Sequence, residues 1–199
     1  MNCEEFEPSS DMDDDGMEWR RLNCLQSLTF ERLPKLESLP AGLQHVTLLQ
    51  KLVISNCPNM MTLPSWIKEL TSLERLGIDG FSNLTSLPDE ISCLRSLQRL
   101  IIAGFTDLMA FPEWINNLTS LEQLQILRCP KLTALPNGMS YLSSLQMLKI
   151  VGCPQLEKNC EEGFGVDWSE ISHVPIVSLS NQPDMSNTSI SGMFSNLNP

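Results

Sequence analysis

Apolar residues recur along this chain on two nested spacings. At the short scale, Leu28 and Phe30, Leu52 and Ile54, Leu76 and Ile78, Leu100 and Ile102, Leu124 and Ile126, and Leu148 and Ile150 are each separated by one residue. Alternation of period two predicts a short strand with one buried face. At the long scale these pairs lie 24 residues apart. A Leu-Pro or Phe-Pro pair keeps the same interval at Pro40, Pro64, Pro88, Pro112 and Pro136. A third column reads Leu33, Cys57, Phe81, Phe105, Cys129 and Cys153, and a fourth reads Leu36, Met60, Leu84, Leu108, Leu132 and Leu156. Proline ends extended structure and fixes the backbone on a side where no ladder hydrogen bond is needed. The Cys/Phe column points inward, where the chain turns away from each strand.

Written as one unit, the pattern is L-x2-L-x2-L-x-I-x2-(C/F)-x2-L-x2-LP-x2-I-x2-L, the grammar of a leucine-rich repeat. A single unit cannot bury its leucines, but a stack shares one continuous core. The predicted fold is an α/β-type solenoid, an arc or horseshoe of about six 24-residue repeats. Parallel strands line its concave face, and short 3-10 or irregular segments form its convex side. Residues 20–157 hold the repeats. Residues 1–19 are expected to be an acidic disordered leader, 158–176 a C-terminal cap and 177–199 a disordered tail rich in Ser and Asn. Phe164, Trp168, Ile171 and Val174 are the apolar residues expected to close the last turn. Only Trp19 stands ahead of the first unit, which begins near Leu22, so its apolar edge is expected to be uncapped.

Charge changes this picture at the ends. The chain carries a net charge of -11, yet residues 1–19 alone hold eight acids and no base. Residues 20–156 hold twelve Lys/Arg against ten Asp/Glu, and residues 157–199 hold six acids and Lys158. A near-neutral body between acidic ends has no basic footprint for nucleic acid and is repelled by anionic lipid. No stretch approaches the roughly 18 apolar residues of a membrane span. The acidic start, Glu4-Glu5-Phe6-Glu7, is unlike a secretory signal, so a cytoplasmic location is expected.

Candidate chemistry is sparse. Seven cysteines without a signal peptide point to reduced thiols. Cys57, Cys129 and Cys153 share a core column with phenylalanines, and no C-x2-C pair suggests zinc. A catalytic thiol needs a histidine base, and the chain offers only His45 on the convex side and His173 in the cap. The adjacent carboxylates Asp89-Glu90 and Glu161-Glu162 read as solvated charge. The Asn-x-Ser/Thr triplets at Asn83, Asn117 and Asn187 matter only in a secreted protein. No catalytic residue, metal ligand or cofactor is expected.

The concave face is the expected site. The row before the central leucines reads Ser27, Lys51, Arg75, Arg99, Gln123, Met147. The next outward row reads Thr29, Val53, Gly77, Ile101, Gln125, Lys149, and the third Glu31, Ser55, Asp79, Ala103, Leu127, Val151. Three consecutive cations suit the capture of an acidic patch. Ile101, Leu127, Met147 and Val151 are expected to form an exposed apolar strip beside them, a common signature of protein interfaces. The expected protein-binding set is Lys51, Arg75, Asp79, Arg99, Ile101, Gln123, Leu127, Met147 and Lys149. Two qualifications enter from the same rows: Asp79 could simply neutralise Arg75, and the acidic leader, residues 4–18, could itself cover the cations.

Cys-Pro after the strand, as in Ser55-Asn56-Cys57-Pro58 and Leu127-Arg128-Cys129-Pro130, resembles the plant nucleotide-binding leucine-rich repeat disease-resistance proteins. The segment Cys153-Pro154-Gln155-Leu156-Glu157-Lys158, then Gly165-Val166-Asp167-Trp168, then Ile171-Ser172-His173-Val174-Pro175 is similar to the C-terminal end of their coiled-coil class. The resemblance spans about residues 20–180. It implies a recognition and autoinhibition module that senses a pathogen effector or a guarded host protein and restrains an adjoining nucleotide switch. Its partners would be that effector, that host protein or the receptor's own nucleotide-binding domain. This sequence lacks any Gly-Lys dipeptide, hence any phosphate-binding loop of the G-x4-GK-[ST] kind, so nucleotide binding is not carried over. The chain is expected to be a fragment or truncated member. Alternatives are a stand-alone intracellular scaffold, adaptor or decoy, and a secreted repeat inhibitor, whose L-x-G-x-IP grammar is missing here. An enzyme would need a convergent acid, base and nucleophile.

Overall fold

A computed structural model describes residues 19–81 and 84–180 of the 199-residue chain. The leader up to residue 18 and the tail from residue 181 lie outside the described residues. Among those described, seven parallel strands form one curved sheet in chain order. They are β1 (Ser27–Glu31), β2 (Lys51–Ser55), β3 (Arg75–Asp79), β4 (Arg99–Ala103), β5 (Gln123–Leu127), β6 (Met147–Val151) and β7 (Ile176–Ser180). The register follows the 24-residue period, so Leu52, Leu76, Leu100 and Leu124 stand side by side, as do Ile54, Ile78, Ile102 and Ile126. The repeat architecture is that of a leucine-rich repeat solenoid.

β1 to β5 each return through the convex side by a short 3-10 segment, as at Ala41–His45, Ser65–Glu69, Asp89–Cys93 and Glu113–Asn117. The proline before each segment holds an extended backbone, and its carbonyl accepts the N–H three residues on. Examples are Leu43 to Pro40 at 3.0 Å, Ile67 to Pro64 at 3.0 Å and Ile115 to Pro112 at 3.2 Å. That one turn points Leu43, Ile67, Ile91 and Ile115 inward, where all are fully buried. One core cluster runs from Trp19 to Val174. Within it the Cys/Phe column stacks as a ladder, with the Phe81 and Phe105 rings nearly parallel and 5.8 Å apart.

The two ends differ from expectation in two places. The ladder does not stop at residue 176, because β7 pairs with β6 and places Val177 beside Leu148 and Leu179 beside Ile150. The expected lack of order from residue 177 is therefore corrected for 177–180. Alternating apolar residues fill the same inward columns, although two helices, α1 (Pro154–Asn159) and α2 (Trp168–Ile171), replace the usual 3-10 return. The second correction is Phe164, which is 88% exposed, whereas Ile171 and Val174 are buried and Trp168 packs partly against the core. Next to it, Gly165 sits against the Asn159 carbonyl, where no Cβ fits.

Polar contacts tie this segment down. The Asp167 carboxylate accepts the Leu135 N–H at 3.0 Å, Glu170 accepts that of Gly138 at 2.8 Å, and Glu157 accepts that of Cys153 at 2.8 Å. At the opposite end Trp19 is buried, but Leu22, Leu25, Leu28, Leu33 and Leu36 are only partly covered. No helix among the described residues is long and apolar enough to cross a membrane.

Candidate protein-binding face

Strand alternation sends the leucine and isoleucine columns into the core and the residues between them to the concave face. Register then assembles the first row directly: Lys51 stands beside Arg75, Arg75 beside Arg99, Arg99 beside Gln123 and Gln123 beside Met147. All five are partly buried. Neighbouring strands are about 4.8 Å apart, so three cations share one short row. Burial lowers the Lys51 pKa, and the positive charges of Arg75 and Arg99 lower it further. Burial also lowers that of Arg99, with Arg75 adding to the effect and the nearby Glu122 opposing it. Such a row gains from an incoming anion what its members lose to each other.

The expected exposed apolar strip is not present. Ile101, Leu127 and Val151 are 0%, 3% and 5% exposed, and only Met147 keeps partial exposure. They belong with Val53 and Ala103 to a second apolar cluster, separate from the main core. In the middle row Gly77 stands between Val53 and Ile101 and contributes no side chain. The flanking side chains share one cluster across that gap, while Leu127 sits directly between Ala103 and Val151. Gln125 joins them, buried to 6% exposure, and Lys149 is half-buried at the edge.

Asp79 takes neither expected role. It is buried, and its two carboxylate oxygens accept hydrogen bonds from Arg128 Nη2 at 3.1 and 3.2 Å. The Ser55 hydroxyl donates to it at 3.5 Å. Among the described residues no ion pair joins Asp79 to Arg75. Asp79 is thus committed to a different cation, two strands away.

Arg128 escaped the sequence reading, yet a column announced it. Arg32, Asn56, Gly80, Gly104, Arg128 and Gly152 fall at 24-residue intervals just after each strand, and all have positive φ, from 53° to 90°. Glycine at three of six equivalent positions signals a left-handed turn. This column, one residue before the Cys/Phe ladder, is where the chain leaves the sheet. The turns also line an open depression of about 420 Å³ between Arg32, Pro34, Asn56, Pro58 and Gly80. Its one cation, Arg32, already lies 3.8 Å from Glu31.

Nucleophile and metal chemistry gain nothing from the geometry. No group of three His, Cys, Asp or Glu side chains among the described residues converges as a metal site. His173 lies with Nε2 3.2 Å from the Leu142 carbonyl, in the segment that follows α2. Cys57, Cys129, Cys153 and Cys160 are buried, while Cys24 and Cys93 are exposed. Burial raises the Cys57 thiol and pushes that of Cys160 up to about 12. A hydrogen bond with Cys153, reinforced by burial, raises Cys129. Cys57, Cys129 and Cys160, held protonated, are poor nucleophiles, while the hydrogen bond with Cys129 lowers Cys153, which is itself fully buried.

Comparison with known proteins supports the repeat architecture. Residues 96–153 match the family described as R13L1/DRL21 leucine-rich repeats, repeats of plant disease-resistance-type proteins. No curated protein matches the chain. A leucine-rich repeat protein of Leptospira interrogans superposes with a TM-score of 0.58 at 24% identity. That superposition covers 73% of this chain and 38% of the Leptospira chain, so this chain spans well under half of that protein. The leucine-rich repeat domain of the type III effector XopL superposes with a TM-score of 0.52 at 21% identity, covering 81% of this chain and 71% of the other. These likenesses show a leucine-rich repeat fold, and the family match likens its fourth to sixth strands to plant resistance-type repeats.

Proposed function

We propose that this chain is a protein-recognition module of the plant immune-receptor kind, similar to the repeats of the coiled-coil class of nucleotide-binding disease-resistance proteins. It works in the cytoplasm without catalysis and presents its concave face to an acidic surface. The partner is a pathogen effector, a guarded host protein or the nucleotide-binding domain of a receptor. The observation that carries this reading is the row of Lys51, Arg75 and Arg99 in strand register, with Asp79 drawn off to Arg128. The match of residues 96–153 to resistance-type repeats supplies the plant-defence setting. In such a face the cations steer an acidic partner and fix its register, while Gln123, Met147 and Lys149 supply contacts along the row and its edge.

Proximity labelling in plant cells, with the wild-type chain beside the variant Lys51→Glu/Arg75→Glu/Arg99→Glu, tests it. The expected result is that proteins labelled by the wild type are acidic at the contact and are lost from the variant, which keeps its circular dichroism spectrum. An unchanged set of labelled proteins overturns the reading.

A further inference from the structure

We infer that Cys129 and Cys153 are a redox modification site within the core ladder, a dithiol that a peroxide converts to a disulfide and a thiol reductant restores. This chemistry is independent of what the concave face binds. The two cysteines occupy one column of successive units, 24 residues apart. Leu127 pairs with Val151 at the ends of β5 and β6, and the Arg128 N–H donates to the Val151 carbonyl at 2.8 Å. The next residues, Arg128 and Gly152, both hold left-handed backbone, with φ of 53° and 72°, and a Cβ on Gly152 would lie 3.3 Å from the Arg128 Cα. Parallel, touching turns therefore deliver both cysteines. Neighbouring strands are about 4.8 Å apart, within the roughly 4.4–6.8 Å of Cα separation that a disulfide spans.

Side-chain direction brings the sulfurs together. Cys153 Sγ leans back toward β5, where it accepts the Cys129 N–H at 3.4 Å and stands 3.8 Å from the Ile126 carbonyl oxygen. The two thiols are hydrogen-bonded to each other. Cys57 leans the same way, 3.9 Å from the Phe30 carbonyl oxygen, but its neighbours in the column are Leu33 and Phe81. It is a buried thiol of like placement with no thiol to meet. A buried carboxylate adjoins the pair. Glu157 Oε1 accepts the Cys153 N–H at 2.8 Å, and Oε2 is buried with no partner among the described residues. A buried acceptor left unpaired costs stability, and redox chemistry is one use that offsets the cost. Here it can take up a thiol proton beside the residue that loses one.

With hydrogen peroxide as oxidant, Cys153 as thiolate attacks one peroxide oxygen. The O–O bond breaks, leaving a sulfenic acid and, with the thiol proton, one water. The Cys129 sulfur then displaces the sulfenic hydroxyl, which leaves with the Cys129 proton as a second water. Two thiols and one peroxide yield one disulfide and two waters. Both sulfurs are buried, so the reaction is slow and waits on local opening of the end units. The product staples the turn after β5 to the residue that opens α1. The test exposes the folded full-length chain to hydrogen peroxide in a Cys3→Ser/Cys24→Ser/Cys93→Ser background, which leaves Cys57, Cys129, Cys153 and Cys160. Peptide mapping without reduction should find a Cys129–Cys153 crosslink that dithiothreitol reverses, with Cys57 still free to alkylate once the chain is unfolded. The melting temperature should rise by about 5–10 °C on oxidation. Cys129→Ala, its fold checked by circular dichroism, should lose both the crosslink and the rise. A Cys153–Cys160 crosslink, Cys57 crosslinked in equal yield, or all four thiols free after exposure overturns the inference. So does a crosslink that forms only in urea that unfolds the chain.

Discussion

Single residues decide where this chain can turn. Gly80 and Gly104 are equivalent positions with φ of 90° and 68°, yet their surroundings differ. A Cβ on Gly80 meets only the Asn56 nitrogen at 3.9 Å, whereas one on Gly104 lies 2.7 Å from Asp79 Oδ1 and 3.1 Å from the Gly80 nitrogen. Left-handed backbone alone costs an alanine about 1–2 kcal/mol. Gly80→Ala should therefore lose about that amount in urea unfolding, and Gly104→Ala clearly more, because it also pushes the carboxylate away from Arg128. Equal losses would show that the clasp yields without cost. Removing the arginine is the complementary change. Asp79 is mostly buried and Arg128 half-exposed, so Arg128→Ala should cost about 1–2 kcal/mol, between a surface pair and a buried one. The thiols give a pH signature. Burial first, then the charge of Asp167, pushes Cys160 up to about 12, so the folded state holds this proton more tightly than the unfolded chain does. Its contribution is complete below the ordinary thiol range and is lost as pH rises from there toward 12. Urea midpoints between pH 8 and pH 10 should fall, and less steeply in Cys160→Ala; identical slopes would remove the thiol from the account.

At the scale of the element, one strand with its 3-10 return is the unit, and its worth depends on having neighbours on both sides. Leu100 is fully buried between Leu76 and Leu124, while its counterpart Leu28 in β1 is only partly buried. Leu100→Ala should cost about 2–5 kcal/mol and Leu28→Ala distinctly less, measured by the same unfolding curves. The columns that predict this contrast were legible because each depends on one short period: strand, proline, 3-10 turn and inward ladder all fall where the spacing puts them. β7 was hidden because the interval from Leu148 to its partner Val177 is longer than the repeat, two helices having replaced the usual return. The concave rows were legible as rows but not in their exposure. Ile101 alternates like an outward residue, and no linear pattern shows that it shares a buried cluster with Val53, two strands away. Arg128 reaches Asp79 across two strands, and a contact between units is invisible to a repeat that treats every unit alike.

The whole molecule is a stack in which units pack chiefly on their neighbours, the Arg128–Asp79 pair reaching one unit further, so stability should vary along it rather than be shared evenly. The C-terminal end is closed: Ile171 and Val174 are buried, and Asp167 and Glu170 hold the backbone at Leu135 and Gly138. At the N-terminal end Leu22, Leu25 and Leu28 keep partial exposure, whereas Leu70, Leu73 and Leu76, their counterparts two units on, are fully buried. Each partly buried leucine forfeits a share of the roughly 1.5–3 kcal/mol that full burial gives. The first unit therefore opens at lower free energy than β4 and β5, which have complete neighbours on both sides. Amide hydrogen exchange read by mass spectrometry should show protection weakest in β1, rising through β2 and β3, and highest in β4 and β5. Asp167→Ala/Glu170→Ala should lower protection in β6 and β7 while leaving β2 and β3 unchanged, because a cap acts on the unit it covers. Uniform protection across all seven strands would mean that the arc unfolds as one cooperative body. The nearest-neighbour picture would then fail, and with it the expectation that the basic row on β2 to β4 stays assembled when either end frays.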